Sequence, residues 1–535
     1  MSRHVDVLVV GLGPTGVTLA ALLARSGLRV AVFDRLPDLY PLPRAIGLDH
    51  EALRIWQSLG LSEALMPHLA PYRPSEYRGA QGQLIKRLDM APPPHRLGWA
   101  PNWVFDQPAV ERVLRAHLAA QAGVLVGLGQ DVVALQEQDG GVAATVRDTD
   151  GGSSTWTAAY AVACDGGASP IRKRLGIALD DLQFDEPWLV VDARVRPDKL
   201  AELPQTQVQY CEPERPGTFV VGPGNHRRWE LMLLPGEPLH EHWPEDTLWP
   251  LLARWIQPGD AELWRAAAYR FHGLVAQRWR SGRIFLAGDA AHMTPPFMAQ
   301  GMVQGLRDAS NLAWKLERVL RHGASDALLD SYEAERRPHV IGTTRAAIAL
   351  GRVICERDPA KARERDARLL DEHGGTVPTT VRQSMLPDLC GGLFAIGSPG
   401  AGSLFPQPRV TTLPAGDTGW LDDVCGAGVR VLACHDALAP ADAVAAEAAL
   451  APLQGRLLRL MSPPLDPPPT GPGLCIAEEQ PLLADWLRGL GARFAVVRPD
   501  HQVHATADTA AGALRHLADL AAAMGARSGG EPLKL

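Results

Sequence analysis

HVDVLVVGLGPTGVTLAALLARSGLRVAVFDR, His4 to Arg35, is the stretch from which the fold of this chain can be read. Val7–Val10 is a continuous apolar run, as a strand covered on both faces requires. Gly11-x-Gly13-x-x-Gly16 follows it, then apolar residues at helical spacing up to about Gly27, then a second apolar run, Val30–Phe33, closed by Asp34. That order is strand, helix, strand. The glycines stand where a missing side chain lets a pyrophosphate approach the backbone N–H groups at a helix N-terminus. Asp34, ending the second strand, is placed to accept from ribose hydroxyls. Gly11, Gly13, Pro14, Thr15 and Gly16, with Asp34 and Arg35, are therefore the expected dinucleotide site. The alternative is a glycine-rich turn in an unrelated α/β protein.

Two later stretches repeat the strand-into-loop design. AAYAVACDGGASPIRKRLGI (Ala158–Ile177) runs a strand, Tyr160–Ala163, into Asp165-Gly166. RIFLAGDAAHMTPPFMAQG (Arg283–Gly301) runs another into Gly288-Asp289 and a stiff loop with little side chain. Such a loop suits a backbone lying against something flat and polar. Beyond it Met302, Leu306, Ala309, Leu312, Ala313, Leu316 and Leu320 recur at helical spacing. Gln107-Pro108 opens an earlier helix. Between about 181 and 280 shorter alternating runs, turned at Gly222-Pro223-Gly224, predict an antiparallel sheet. The proline-rich Ser462–Gly473 is expected to lack regular structure and lies in a C-terminal region of short strands and a last helix. We find no internal repeat.

A chain of 535 residues exceeds one ordinary core and predicts roughly three domains. The reading is α/β: a Rossmann-like nucleotide domain in two parts, 1–180 and 281–400, a sheet domain at 181–280, and a C-terminal domain at 401–535. With 46% hydrophobic and 21% charged residues the composition is that of a globular protein. The net charge of −7 carries no basic excess, so no nucleic-acid partner is expected. No apolar run reaches the roughly eighteen residues of a membrane span, and MSRH leads directly into a strand without room for a signal peptide; the expected location is cytoplasmic, away from any membrane. Seven cysteines, never spaced as CxxC, predict neither a disulfide framework, a metal site nor a dithiol redox motif.

Gly11-x-Gly13-x-x-Gly16 with Asp34, Asp165-Gly166 and Gly288-Asp289, in that order, resemble the single-component FAD-dependent aromatic hydroxylases, the class A flavoprotein monooxygenases, over almost the whole chain. YPLPRAIGLDHEALRIWQSLGL, PWLVVD, RRWELMLLPGE and GLRDASNLAWKL look most like the branch acting on 3-(3-hydroxyphenyl)propionate. The resemblance implies an FAD-binding domain with an inserted antiparallel substrate sheet and a C-terminal thioredoxin-like domain lacking CxxC, structural or oligomer-forming in role; a homodimer stays open. It implies that Asp289 binds the ribityl and phosphate end of FAD, that the loop Pro295–Gly301 lies along the flavin, and that the helix from Gly301 and Met302 points its N–H groups at the pyrimidine edge. Arg44, Gln107, Gly288 and Pro296 match cofactor contacts, and Asp165 matches an acid implicated in FAD and nicotinamide binding. Where relatives commonly read G-Q-G-x-N, this chain reads Ala299-Gln300-Gly301-Met302-Val303.

No second dinucleotide fingerprint is present, which suits a transient NADH or NADPH. The implied reaction is reduction of FAD, capture of O2 as a flavin hydroperoxide, and transfer of one oxygen to a phenolic acid ortho to its hydroxyl. Pro295, Arg228 and Tyr210 are the expected catalytic-site residues, with Arg227 or Arg228 pairing a substrate carboxylate. Strand alternation puts Arg228 and Glu230 on one face, Arg227 and Trp229 on the other. Asp49 and His50 are weaker candidates, and His292 is expected to brace the loop. The rivals are a hydroxylase of a polycyclic or polyketide aromatic metabolite, and a non-catalytic flavin-binding protein.

Overall fold

The structure, a computed structural model, describes residues 3–240, 243–461 and 470–525. Of the proline-rich stretch, residues 462–469 lie outside the described residues. His4–Val10 and Val30–Asp34 are neighbouring parallel strands joined by the helix Pro14–Arg25. Their sheet runs in the order Arg280–Ser281, Ile284–Leu286, Ser153–Ala163, His4–Val10, Val30–Asp34, Val124–Leu128. All neighbours from Ile284–Leu286 onward are parallel. Val7, Val9, Val30 and Val32 are fully buried, which explains apolar runs that do not alternate. Gly11, Asp165 and Gly288-Asp289 leave the C-terminal ends of three adjacent strands. Remote in sequence, the three motifs thus share one edge, the edge at which open α/β sheets bind ligands.

Close packing dictates the glycines there. Gly11 has φ +99°, and a Cβ on it would stand 2.3 Å from the Cys164 carbonyl oxygen; a Cβ on Gly16 would stand 1.9 Å from that of Gly11. Any larger residue would push the helix off the strand ends.

The second sheet has nine strands, ordered His292–Met293, Ala261–Ala276, Leu179–Val195, His226–Met232, Gly217–Val221, Gln207–Tyr210, Ser75–Arg78, Leu84–Asp89, Thr379–Val381. It takes strands from well outside 181–280. One face packs Trp229, Phe219, Tyr210 and Leu231 beneath the helix Glu245–Leu252. The other fronts the nucleotide domain. Every residue of His226–Met232 is buried, because both faces are covered.

The proline loop delivers the chain into the helix Gly301–His322, whose Leu306, Ala309, Leu312 and Leu316 are fully buried. A seven-stranded mixed sheet with the helices Pro440–Leu450, Leu482–Gly489 and Ala510–Ala523 forms the C-terminal unit. Buried ion pairs fasten it: Arg54 to Asp422 at 2.7 Å and Arg498 to Glu335 at 2.7 Å. Among the described residues no two cysteines are joined in a disulfide. Among the described residues no helix is long and apolar enough to cross a membrane, and no cluster of His, Cys, Asp and Glu could hold a metal.

Candidate active site

A cavity of about 350 Å³ lies between the strand-end edge of the first sheet and the inner face of the second. At its nucleotide end Gly13, Pro14, Thr15, Arg44, Gln107 and Asp289 line the wall. Gly13 caps the helix Pro14–Arg25 without any side-chain hydrogen bond, and a Cβ on it would meet nothing within 4 Å. The first-turn N–H groups therefore face open space, which is a cradle for a phosphate. Gly11, Gly16 and Gly288 shape this end from just behind the wall. Asp34 accepts from Leu12 N at 2.7 Å and Leu36 N at 2.8 Å, so its carboxylate holds the glycine loop, with Arg35 exposed beside it.

Gln107 Oε1 accepts from Arg44 N at 2.8 Å and Ala45 N at 2.5 Å, and its Nε2 donates to Glu111 at 2.7 Å. It fixes the backbone that presents Arg44, whose exposed guanidinium lies 5.3 Å from the Tyr40 ring centre. Asp289 has no hydrogen-bond partner among the described residues. Its carboxylate opens into the cavity, yet the protein packed around it raises its pKa, opposed by the His292 and Arg44 charges. Asp165 turns away from the cavity wall: Oδ2 accepts from Ile171 N at 3.2 Å, while Oδ1 is buried with no hydrogen-bond partner among the described residues.

Pro296, Ala299, Gly301 and Met302 present the proline loop to the cavity. Pro295, expected there, is buried off the wall; the 3-10 turn Pro296–Met298 begins one residue later and swings the second proline inward instead. His292 Nε2 stands 2.7 Å from Asp308 Oδ2, which also accepts from Gly288 N at 2.9 Å. Arg336 pairs with the same carboxylate at 2.9 Å. Through Asp308, His292 ties the loop to the helix Gly301–His322. Ala299 adopts a left-handed φ of +51°, and only glycine fits opposite it: a Cβ on Gly47 would stand 2.9 Å from the Ala299 methyl.

The far end is walled by Gln209, Thr218, Val220, Arg228, Glu230, Tyr72 and Arg382. Tyr210 is not among them. Strand parity sends it to the opposite face, where its hydroxyl accepts from Trp255 Nε1 at 3.0 Å, and its neighbour Gln209 faces the cavity. Arg227 also lies behind, donating to the Gly224 carbonyl at 3.0 Å. Arg228 faces inward but is already committed. Nε and Nη2 donate to Asp192 at 2.7 and 3.0 Å, and Nη1 to Arg44 O at 2.9 Å. His226 shares that aspartate at 2.7 Å. Asp49 caps the helix His50–Ser58 and pairs with Arg307 at 2.5 Å, away from the cavity, and burial takes His50 down to about 4.

Tyr72 and Arg382 were not anticipated. Arg382 donates from Nη1 to Tyr72 Oη at 3.0 Å; among the described residues its Nε and Nη2 have no partner. Both sit in short connections whose sequence carries no periodic or motif signal.

Residues 4–347 match the FAD binding domain family and residues 402–523 the HcaD C-terminal domain family. The chain is 33% identical over 562 residues to a 3-(3-hydroxy-phenyl)propionate/3-hydroxycinnamic acid hydroxylase of Comamonas testosteroni, covering 94% of each chain. It belongs to the FAD-dependent aromatic hydroxylases. This hydroxylase is also 40% identical over 437 residues to a probable NADH-specific resorcinol 4-hydroxylase of Rhodococcus jostii, covering 81% of this chain and 79% of the relative. Its fold superposes on aklavinone-11 hydroxylase, solved with FAD and aklavinone, with TM-score 0.76 at 25% identity, covering 97% of this chain and all of the other. The residues present fit FAD: an uncapped helix N-terminus and an unpartnered Asp289 carboxylate face one continuous cavity. The enzyme is a flavoprotein monooxygenase that uses FAD and a nicotinamide co-substrate.

Proposed function

We propose that the hydroxylase acts on a single-ring phenol carrying a short carboxylate side chain and converts it to a catechol by hydroxylation ortho to the existing hydroxyl, with NADH as hydride donor. Arg382 carries this reading. It is a cation on the cavity wall with two donor nitrogens unspent among the described residues, whereas Arg227 lies behind the sheet and all three Arg228 nitrogens already donate to Asp192 or the Arg44 carbonyl. A carboxylate at Arg382 would gain a charge-assisted, geometrically fixed contact. The relatives named for hydroxyphenylpropionate support the substrate class, and the NADH-specific relative supports the donor.

FAD, when bound, supplies the redox chemistry: it accepts the hydride and passes one atom of O2 to the ring. The chain supplies position and shelter. The first turn of Pro14–Arg25 would hold the pyrophosphate and Asp289 the ribityl hydroxyls. Pro296 and Ala299 would bound the flavin face, and the uncapped N-terminus of Gly301–His322 would stabilise negative charge at the pyrimidine edge without adding an acid. Sheet residues and Arg382 would hold the ring in one orientation, which fixes the carbon attacked. The cavity must seat the flavin ring and the substrate together, which favours one ring over four.

The resorcinol relative favours a second reading, a neutral dihydroxybenzene. Coupled assays of NADH oxidation and product formation with 3-(3-hydroxyphenyl)propionate, its amide and resorcinol separate the two. Catechol formed from the acid at a kcat/KM well above the amide's supports the proposal; preference for resorcinol overturns it.

A further inference from the structure

We infer that Glu230 is the acceptor for the substrate's phenolic proton. It stands on the cavity wall, 7% exposed, on the inward face of His226–Met232. Among the described residues it has no hydrogen-bond partner. Its nearest cation, Arg228 Nη1, is 3.8 Å from Oε1 and already donates to the Arg44 carbonyl. A carboxylate left so nearly alone inside a protein is costly unless a ligand completes it. The neighbouring acceptors are taken. Gln209 Oε1 receives Thr218 Oγ1 at 2.7 Å, and Asp192 receives Arg228 and His226. Among the described residues Glu230 is thus the one carboxylate facing the far end of the cavity.

The groups around it set its affinity for a proton. Arg228 on its own strand and Arg265 on Ala261–Ala276 favour the anion; Asp192 on Leu179–Val195 opposes it; Arg44, Tyr72 and Arg382 face the same cavity. Burial outweighs the arginines and raises its pKa from 4.5 to about 7. A base poised there is matched to neutral pH.

The phenol O–H bond breaks and its proton passes to a Glu230 oxygen. The electron pair left on the substrate oxygen delocalises into the ring and enriches the ortho carbon. That carbon would bond to the oxygen atom delivered at the cofactor, the other atom of O2 would leave as water, NADH would supply the two electrons with its hydrogen, and solvent would supply the remaining protons. The ortho hydrogen departs as a proton to solvent, and the proton on Glu230 returns to the substrate oxygen. Arg228 and Asp192 do no proton transfer; they hold the strand and its charge in place.

This inference rests on the phenol reading but not on the carboxylate at Arg382, and the experiment keeps them apart. Purified FAD-loaded wild type, Glu230→Gln and Glu230→Asp are assayed for product per NADH consumed from pH 5.5 to 9. The substrates are 3-(3-hydroxyphenyl)propionate, resorcinol, and a ring-fluorinated phenol whose hydroxyl ionises near neutrality and which keeps one open ortho carbon. Wild-type product formation should rise with pH through about 7. Glu230→Gln should bind FAD normally, lose about a hundredfold in product formation at pH 7, lose that rising limb, and regain most of the loss with the fluorinated phenol. Glu230→Asp should keep the limb at reduced rate. A Gln variant with wild-type rate and profile, or one equally impaired on the fluorinated phenol, overturns the assignment. If Arg382→Ala affects acid and amide alike, only the carboxylate reading fails.

Discussion

Asp289 and Ala299, in one loop, show how single residues divide binding from conformation. The Asp289 carboxylate opens into the cavity without a hydrogen-bond partner among the described residues, so on the proposed reading its loss removes an acceptor for the cofactor and nothing the fold needs. Asp289→Ala should purify folded, by circular dichroism, but without the flavin absorbance band and without recovering it on incubation with FAD. Ala299 holds φ +51°, a conformation that costs an L-residue about 1–2 kcal/mol and costs glycine almost nothing. Ala299→Gly relieves that strain but frees the unfolded chain by about 0.4–1 kcal/mol. The melting temperature of the FAD-bound variant should therefore stay level or rise by a few degrees, and a clear fall would refute the strain. Glu230 shows the opposite trade. Its folded pKa of about 7 lies above the ordinary 4.5, so the folded state binds the extra proton. Stability falls as pH rises from 4.5 to about 7, and the deficit persists above it. Denaturant titration should find Glu230→Gln more stable than wild type at pH 8, by on the order of 3 kcal/mol at most, and equal to it near pH 4.

The strand His226–Met232 shows what an element decides. Its alternation was legible, and the structure keeps Arg228 and Glu230 apart from Arg227 and Trp229. Which face meets the cavity was not legible, because all seven residues are buried and each face carries an arginine. The same parity that brings Gln209 inward takes Tyr210 out. Arg382 follows the short edge strand Thr379–Val381, and only pairing with Leu84–Asp89 brings it to the wall. The arginines should therefore separate cleanly. Arg382→Ala should lower kcat/KM for 3-(3-hydroxyphenyl)propionate by roughly ten- to a hundredfold, the worth of a charge-assisted contact of about 1.5–3 kcal/mol, and change the amide several-fold at most. Arg227→Ala should discriminate neither. Equal discrimination by Arg227 would mean the sheet faces the other way.

At the scale of the molecule, the C-terminal unit is part of the enzyme's fold. Glu335 of the helix Asp330–Ile354 receives Arg498 from just beyond the strand Phe494–Val497 of the seven-stranded sheet and Lys315 from the helix that follows the proline loop, at 2.7 and 2.9 Å. Those charges hold its carboxyl well below the usual range, whereas burial lowers Lys315 to about 8. Glu335→Ala would leave the buried Lys315 without its ion-pair partner, while Arg498 keeps Asp500 at 2.5 Å, a loss of about 3–5 kcal/mol. Chemical denaturation at pH 7 should show it. Because the folded pKa is depressed, the acid's contribution is present above about 4.3 and lost as pH falls below it, so the gap between variant and wild type should narrow in acid. The thiols carry none of this: replacing Cys425, Cys434 and Cys475 together with alanine should leave turnover per folded enzyme nearly unchanged, measured as NADH oxidised per bound FAD.

The sequence alone determined the strand–helix–strand unit, the three motifs and their order, and the helix from Gly301, because apolar period and obligatory glycines are local properties. It determined the family for the same reason: phosphate cradles are made of backbone, and backbone needs leave glycine and aspartate at fixed spacing. Only the tertiary structure decided which prolines and tyrosines face the cavity, that Asp192 consumes Arg228, and that Arg382 and Glu230 stand on the cavity wall with little to hold them. Those outcomes depend on which side chains from distant strands reach one another first, and a buried charge is free or spent according to partners that no local pattern names.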